Sequence, residues 1–77
     1  MKREKAQTLF EAGAVMACAV IPAPMKGAGY IMQIQRRDGH EEALETTRKG
    51  QTRVFRTLDA AANEARVIGF RQIQVYL

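Results

Sequence analysis

The stretch AGAVMACAVIPAP, residues 12–24, constrains this chain more than any other. It is the most apolar segment, it follows the basic start MKREK, and it holds Cys18, the only cysteine. Such a segment suits a targeting peptide, a lipid-attachment site or a buried strand. A membrane-spanning helix needs about 18 or more consecutive apolar residues, and no run in the sequence reaches that length. A secretory leader places an apolar stretch of about 7–15 residues directly after its basic start. Here Gln7, Thr8 and Glu11 interrupt it.

Val15-Met16-Ala17-Cys18 has the outline of a bacterial lipoprotein cleavage box. Only the short run Ala12 to Ala17 precedes Cys18, however, and the apolar character continues past it through Ile21. Cleavage there would also discard about a quarter of a very small domain. The segment therefore reads as a core strand from Ala14 to Ile21, with Cys18 as a small buried hydrophobe.

The 77 residues make a single small domain, residues 1–77. A chain of this size buries only about 60–65% of the surface its unfolded form exposes, so it builds one modest core. A hydrophobic content of 47% with 26% charged residues suits a folded protein rather than a disordered one. One cysteine forms neither an internal disulfide nor a multi-cysteine metal site, and the lone His40 forms no histidine cluster. A reducing, cytoplasmic setting is expected, with no metal, no cofactor and no membrane.

Ala6, Leu9 and Phe10 recur at helical spacing and predict a helix over residues 3–12, stopped by Gly13. The first strand spans Val15 to Ile21. The segment PAPMKGAG then reads as a loop, and the second strand runs from Tyr30 to Arg37. Asp38-Gly39 signals a hairpin, the third strand covers Glu41 to Thr47, Lys49-Gly50 marks a second turn, and the fourth strand is Thr52 to Arg56. Thr57 is a good helix N-cap, and Leu58, Ala61, Ala62, Ala65 and Ile68 form an apolar stripe ended by Gly69. Phe70 folds back in a C-cap contact. The fifth strand is Arg71 to Leu77, with Ile73, Val75 and Leu77 facing inward.

The expected fold is α+β: a mainly antiparallel five-stranded sheet with two helices on one face, in the order α-β-β-β-β-α-β. A two-residue turn at Lys49-Gly50 sets Leu44 opposite Phe55. At the first hairpin two registers compete. A two-residue Asp38-Gly39 turn puts Ile34 opposite Ala43. A three-residue loop through His40 puts Ile34 opposite Leu44 and Arg36 opposite Glu42. Turn chemistry favours the former and burial the latter, and burial is preferred because a one-residue slip turns every apolar side chain outward.

Catalytic chemistry finds little purchase. The chain has no serine, Cys18 sits in the most apolar strand far from His40, and KGAG lacks the strand–loop–helix context of a phosphate loop. The charge points elsewhere. Residues 1–45 are balanced, and the whole net charge of +4 lies in residues 46–77. A basic excess suits an anionic partner such as nucleic acid. The candidate phosphate contacts are Arg36 and Arg37 before the first turn, Arg48 and Lys49 at the second, and Arg53 and Arg56 on the fourth strand. Gln33, Gln35, Gln72 and Gln74 add an outward hydrogen-bonding face. Glu41, Glu42 and Glu45 lie between those arginines and can neutralise them by cross-strand pairing.

The run YIMQIQRRDGHEEALETTRKGQTRVFRTLDAAANEA ends in Phe55-Arg56-Thr57-Leu58-Asp59 before a helix. In this it resembles the end of the three-stranded DNA-binding arm of phage-type integrases, which lay a sheet in the major groove. The start KREKAQTLFEAGAVMA, the loop IPAPMKG and the ending VFRTLDAAANEARVIGFRQIQVYL are similar in character to small partition-associated proteins of bacterial plasmids and mobile elements. That resemblance implies a cytoplasmic accessory factor in plasmid maintenance and transfers no functional residue.

The expectation is thus a non-enzymatic accessory module of a plasmid or mobile element that associates with DNA or a DNA-bound complex through its basic hairpin turns. The alternative is a protein-interaction or inhibitor module without nucleic-acid contact, for instance a homodimer joined along the uncharged fifth strand, QIQVYL.

Overall fold

A computed structural model describes residues 1–25, 27–46 and 50–77. The elements run α1 (Arg3–Glu11), β1 (Val15–Pro22), β2 (Tyr30–Arg36), β3 (Glu41–Ala43), α2 (Leu58–Ile68) and β4 (Gln74–Val75). The expected Lys49-Gly50 turn falls largely outside the described residues.

Helix α2 begins and ends where its sequence says. Thr57 is extended, and its side chain accepts a hydrogen bond from the Ala60 N–H, satisfying one of the free donors of the first turn. Gly69 takes φ 133°, and the Gly69 and Phe70 N–H groups both return to Ala65 O. The chain then folds back, and the Phe70 ring meets Phe10 of α1 edge to face, with centroids 5.0 Å apart.

The sheet departs from expectation. Among the described residues it has four strands rather than five, in the order β3-β2-β1-β4. It is mixed rather than mainly antiparallel: β1–β2 and β2–β3 are antiparallel, and β1–β4 is parallel. The expected fourth strand, Thr52 to Arg56, touches its neighbours only at isolated bridges, Glu45 with Thr52 and Tyr30 with Phe55. Its two ends serve different strands: Arg53 N–H reaches Leu44 O, while Phe55 exchanges both backbone bonds with Tyr30 at the start of β2. The chain between them crosses from one strand to the other, so no continuous ladder forms. The expected fifth strand shrinks to two residues. Helix α2 carries the chain back along the sheet, so the strand after it runs alongside β1 in the same direction.

The first hairpin takes neither anticipated register. Gln33 pairs with Ala43, Ile34 with Glu42 and Gln35 with Glu41. The loop is Arg37-Asp38-Gly39, because Arg36 N–H donates to His40 O. Gly39 sits at φ 94°, and Asp38 Oδ1 accepts the His40 N–H, a local side-chain turn. This register lies two residues from the one that burial favours, so the faces are preserved and Leu44 is still fully buried beside Met32.

Cross-strand pairs place Cys18 with Ile34 and Val20 with Met32 on one face. All four are buried and pack with Ala6 of α1 and Ala61, Ala65 and Ile68 of α2. Both helices therefore cover the same side of the sheet. Near the start of β1 the register slips between Val15 and Ala17, and Met16, the extra residue, is 64% exposed. Among the described residues no helix is long and apolar enough to cross a membrane.

Candidate binding face

The face opposite the helices is built by the same register. Gln74 of β4, Ala19 of β1, Gln33 of β2 and Ala43 of β3 stand side by side in one row across all four strands. The next row is Ala17, Gln35 and Glu41, and Ile21 pairs with Ile31 further along. Amides thus alternate with alanines. Ala19 is buried between its longer neighbours, Gln33 and Gln35 are half-buried, and Gln74 is exposed. Tyr76 follows on the same face, with its hydroxyl 3.4 Å from Gln74 Oε1. Each carboxamide offers two N–H donors and an acceptor oxygen, so the row presents mixed donors and acceptors on a shallow floor.

Of the basic residues singled out from the sequence, those among the described residues do not gather into one patch. Arg36 is held at the hairpin by two carboxylates: Nη1 lies 2.9 Å from Glu42 Oε2 and Nη2 lies 2.9 Å from Asp38 Oδ2. The Glu42 hydrogen bond raises the Arg36 pKa, and the Glu42 carboxyl is lowered in return. Arg53 turns to the helix side, with Nη1 3.3 Å from Glu64 Oε1 and its guanidinium 4.7 Å above the Phe55 ring. Arg37 is exposed, and its Nε donates to Gly13 O at 2.7 Å. Arg56 is exposed beside a small cavity of about 470 Å³ lined also by Pro22, Gly29 and Tyr30, with no ion pair to any described residue. Arg48 and Lys49 lie outside the described residues. Arg36 and Arg37 stand at one end of β2 and Arg56 near the other, roughly 20 Å away at strand rise.

The acidic residues of the hairpin are also spoken for in part. Glu42 pairs with Arg36 and lies 3.9 Å from Lys5 Nζ. Glu45 Oε2 accepts from the Met1 amino group at 3.2 Å. Glu42 faces Ile34 in the ladder rather than Arg36, so their ion pair is diagonal. His40 is exposed, with Nδ1 3.1 Å from Asp38 Oδ1.

A wider concavity, about 910 Å³, lies between the end of α1, the start of β1 and the segment after α2. Phe10, Met16, Phe70 and Ile73 line it, with Arg71 and Cys18. Burial pushes the Cys18 thiol up to about 12, so it stays protonated and non-nucleophilic at neutral pH. Among the described residues no group of three or more His, Cys, Asp or Glu side chains could hold a metal ion.

Sequence reasoning overlooked two residues. Glu64 is 4% exposed, buried between α1 and α2, where Arg3 grips it. Its position, three residues after Ala61 and four before Ile68, puts a carboxylate inside the apolar stripe, and that was the available signal. Met1 is buried against the outer edge of β3, where its amino group donates to Ala43 O and its carbonyl accepts from Glu45 N–H. Nothing in the local sequence marks that contact. No protein-family model, curated protein or solved structure matches the chain.

Proposed function

We propose that this chain is a non-enzymatic binding module that associates with DNA, or with a DNA-bound complex, through the sheet face opposite its helices. The observation that supports this reading is the row Gln74–Ala19–Gln33–Ala43 with Gln35 beside it. Small residues between the amides let a sheet surface come close to base edges, and glutamine can bond an adenine edge through both its donor and its acceptor. Arg37 and Arg56, which make no ion pair with a carboxylate among the described residues, stand toward the two ends and are suited to phosphates. An accessory role on a plasmid or mobile element is the setting the sequence resemblance suggests.

Fluorescence anisotropy with a labelled duplex at low and at moderate salt tests the proposal. Affinity is expected to fall steeply as salt rises, because phosphate contacts release condensed counterions. Absence of binding at low salt overturns it.

A second reading is a protein-interaction or inhibitor module that does not touch nucleic acid. The observation in its favour is that Arg36 and Arg53 are committed to intramolecular carboxylates. A salt-insensitive complex with a protein, and no duplex binding, would select it.

A further inference from the structure

The two edges of the sheet are protected unequally. The outer edge of β3 is occupied: Met1 bonds to both Ala43 and Glu45 there, and Glu41 and Glu42 place charge on the strand. The outer edge of β4 has no such cover among the described residues. From Gln72 to Leu77 there is neither charge nor proline. Val75 is 41% exposed, Tyr76 52% and Leu77 100%. Backbone groups alternate sides along a strand. Tyr76 N–H points inward to Val20 O at 2.9 Å, so the N–H and C=O groups of Ile73 and Val75 point outward. Natural sheets block such an edge with lysine, proline, a bulge or a covering segment, because it templates pairing with another chain.

We infer that β4 pairs with β4 of a second copy of this chain, antiparallel about a two-fold axis through Gln74, joining two four-stranded sheets into one. The outward groups select this register. Residues 73 and 75 must face each other for their free N–H and C=O groups to be exchanged, and centring on Gln74 sets Ile73 opposite the partner's Val75. An aliphatic pair then forms on the helix side, twice by symmetry. On the other face Gln72 meets the partner's Tyr76, and the two Gln74 amides meet at the axis. Arg71 falls opposite the partner's Leu77 instead of its own counterpart, so like charges stay apart. A two-fold axis normal to the sheet keeps both helix layers on one side and both amide faces on the other. The combined surface doubles the candidate binding face, although the pairing itself does not depend on DNA binding.

Light scattering on the purified chain tests this. The expected mass is twice the 8.6 kDa protomer. Val75→Lys puts a charge on the edge at a side chain already partly in water, and should raise the dimer dissociation constant at least about tenfold while circular dichroism stays native. Val67→Lys, on the exposed side of α2, should leave the mass unchanged. Gln74→Cys provides a second measurement that does not depend on weakening the protein. Directly opposed residues of a non-hydrogen-bonded pair lie about 4.5 Å apart at Cα, within disulfide range. The variant should form a covalent dimer under mild oxidation, whereas the wild type, with only buried Cys18, should not. A wild type that stays monomeric up to its solubility limit overturns the inference. So does a dimer that survives Val75→Lys and fails to cross-link through Gln74→Cys.

Discussion

Arg3 clasps Glu64 through two hydrogen bonds, Nε to Oε2 at 2.6 Å and Nη2 to Oε1 at 2.7 Å, and so ties α1 to α2. Arg53 approaches the same carboxylate at 3.3 Å from the strand side. One buried acid therefore joins three parts of the chain that are far apart in sequence. Removing it leaves two arginines that can still reach water, since their side chains are 43% and 38% exposed. Glu64→Gln is expected to cost about 1.5–3 kcal/mol, the range for hydrogen bonds to charged groups, in urea unfolding.

The same group sets a pH dependence. The Arg3 hydrogen bond holds the Glu64 carboxyl below its ordinary 4.5, with the charge of Arg53 adding to it and desolvation opposing. A carboxylate with a lowered folded pKa stabilises fully above its unfolded value, and that contribution disappears as pH falls through the folded value. Melting temperature should therefore hold steady above about pH 4.5 as far as this group is concerned, and decline below it. In Glu64→Gln the decline should be shallower, leaving the part due to Asp38 and Glu42, whose carboxyls are also lowered.

Gly29 takes φ 117°, and a side-chain carbon built there would run into the Phe55 carbonyl oxygen. That oxygen accepts the Tyr30 N–H, so it cannot retreat without breaking the bridge. Gly29→Ala should cost about 1–3 kcal/mol from backbone strain, and more from the clash. Gly27→Ala is the control. Its φ is also positive, but nothing lies within 4 Å of the added carbon, so its loss should be the smaller of the two in the same denaturant series.

Cys18 should react with a thiol reagent only when the fold opens. Its thiol is buried and pushed up to about 12, so raising the pH from neutral to mildly alkaline should accelerate native labelling little. Denatured protein should label with the ordinary pH dependence of a free cysteine. Fast labelling of the native chain would show that β1 is not the buried strand described.

If the chain binds DNA as proposed, the arginines divide into two groups. Arg37→Ala and Arg56→Ala should each weaken duplex binding and lower the salt slope by about one unit. Arg36→Gln and Arg53→Gln should leave affinity within about twofold and show their effect in thermal stability instead. Equal losses from all four variants would contradict the placement of Arg36 and Arg53 in intramolecular pairs.

What the sequence could reveal followed the range of each interaction. Helix α2 was legible because its signals are local: Thr57 caps four residues of chain, and Gly69 closes the last turn. The burial of Cys18 and Val20 was legible because an unbroken apolar run has few other uses. The hairpin register was only half legible. Apolar alternation settled which face Leu44 takes, but the loop choice depended on Asp38 bonding to His40 N–H, a contact between two polar residues with several options. The sheet was misjudged because β-propensity at Thr52 to Arg56 does not say which neighbour each residue will meet. Leu44 and Tyr30 claim opposite ends of that segment. The basic residues looked clustered in sequence. Hairpin geometry drew Arg36 aside and the buried Glu64 drew Arg53, and neither is visible in a count of charges.

The parallel contact between β1 and β4 joins Ala19 to Gln74 and Val20 to Val75, positions 55 residues apart in the sequence. On a ribosome, Val20 therefore waits with an unfilled carbonyl until residue 76 has emerged. The nascent chain can assemble its hairpin and α2 beforehand, but the sheet closes only after β4 has been made. Contacts that span so much of the sequence also slow spontaneous refolding. A translation pause or truncation before β4 would leave the apolar central strand with a bare flank, the circumstance in which small sheet proteins aggregate.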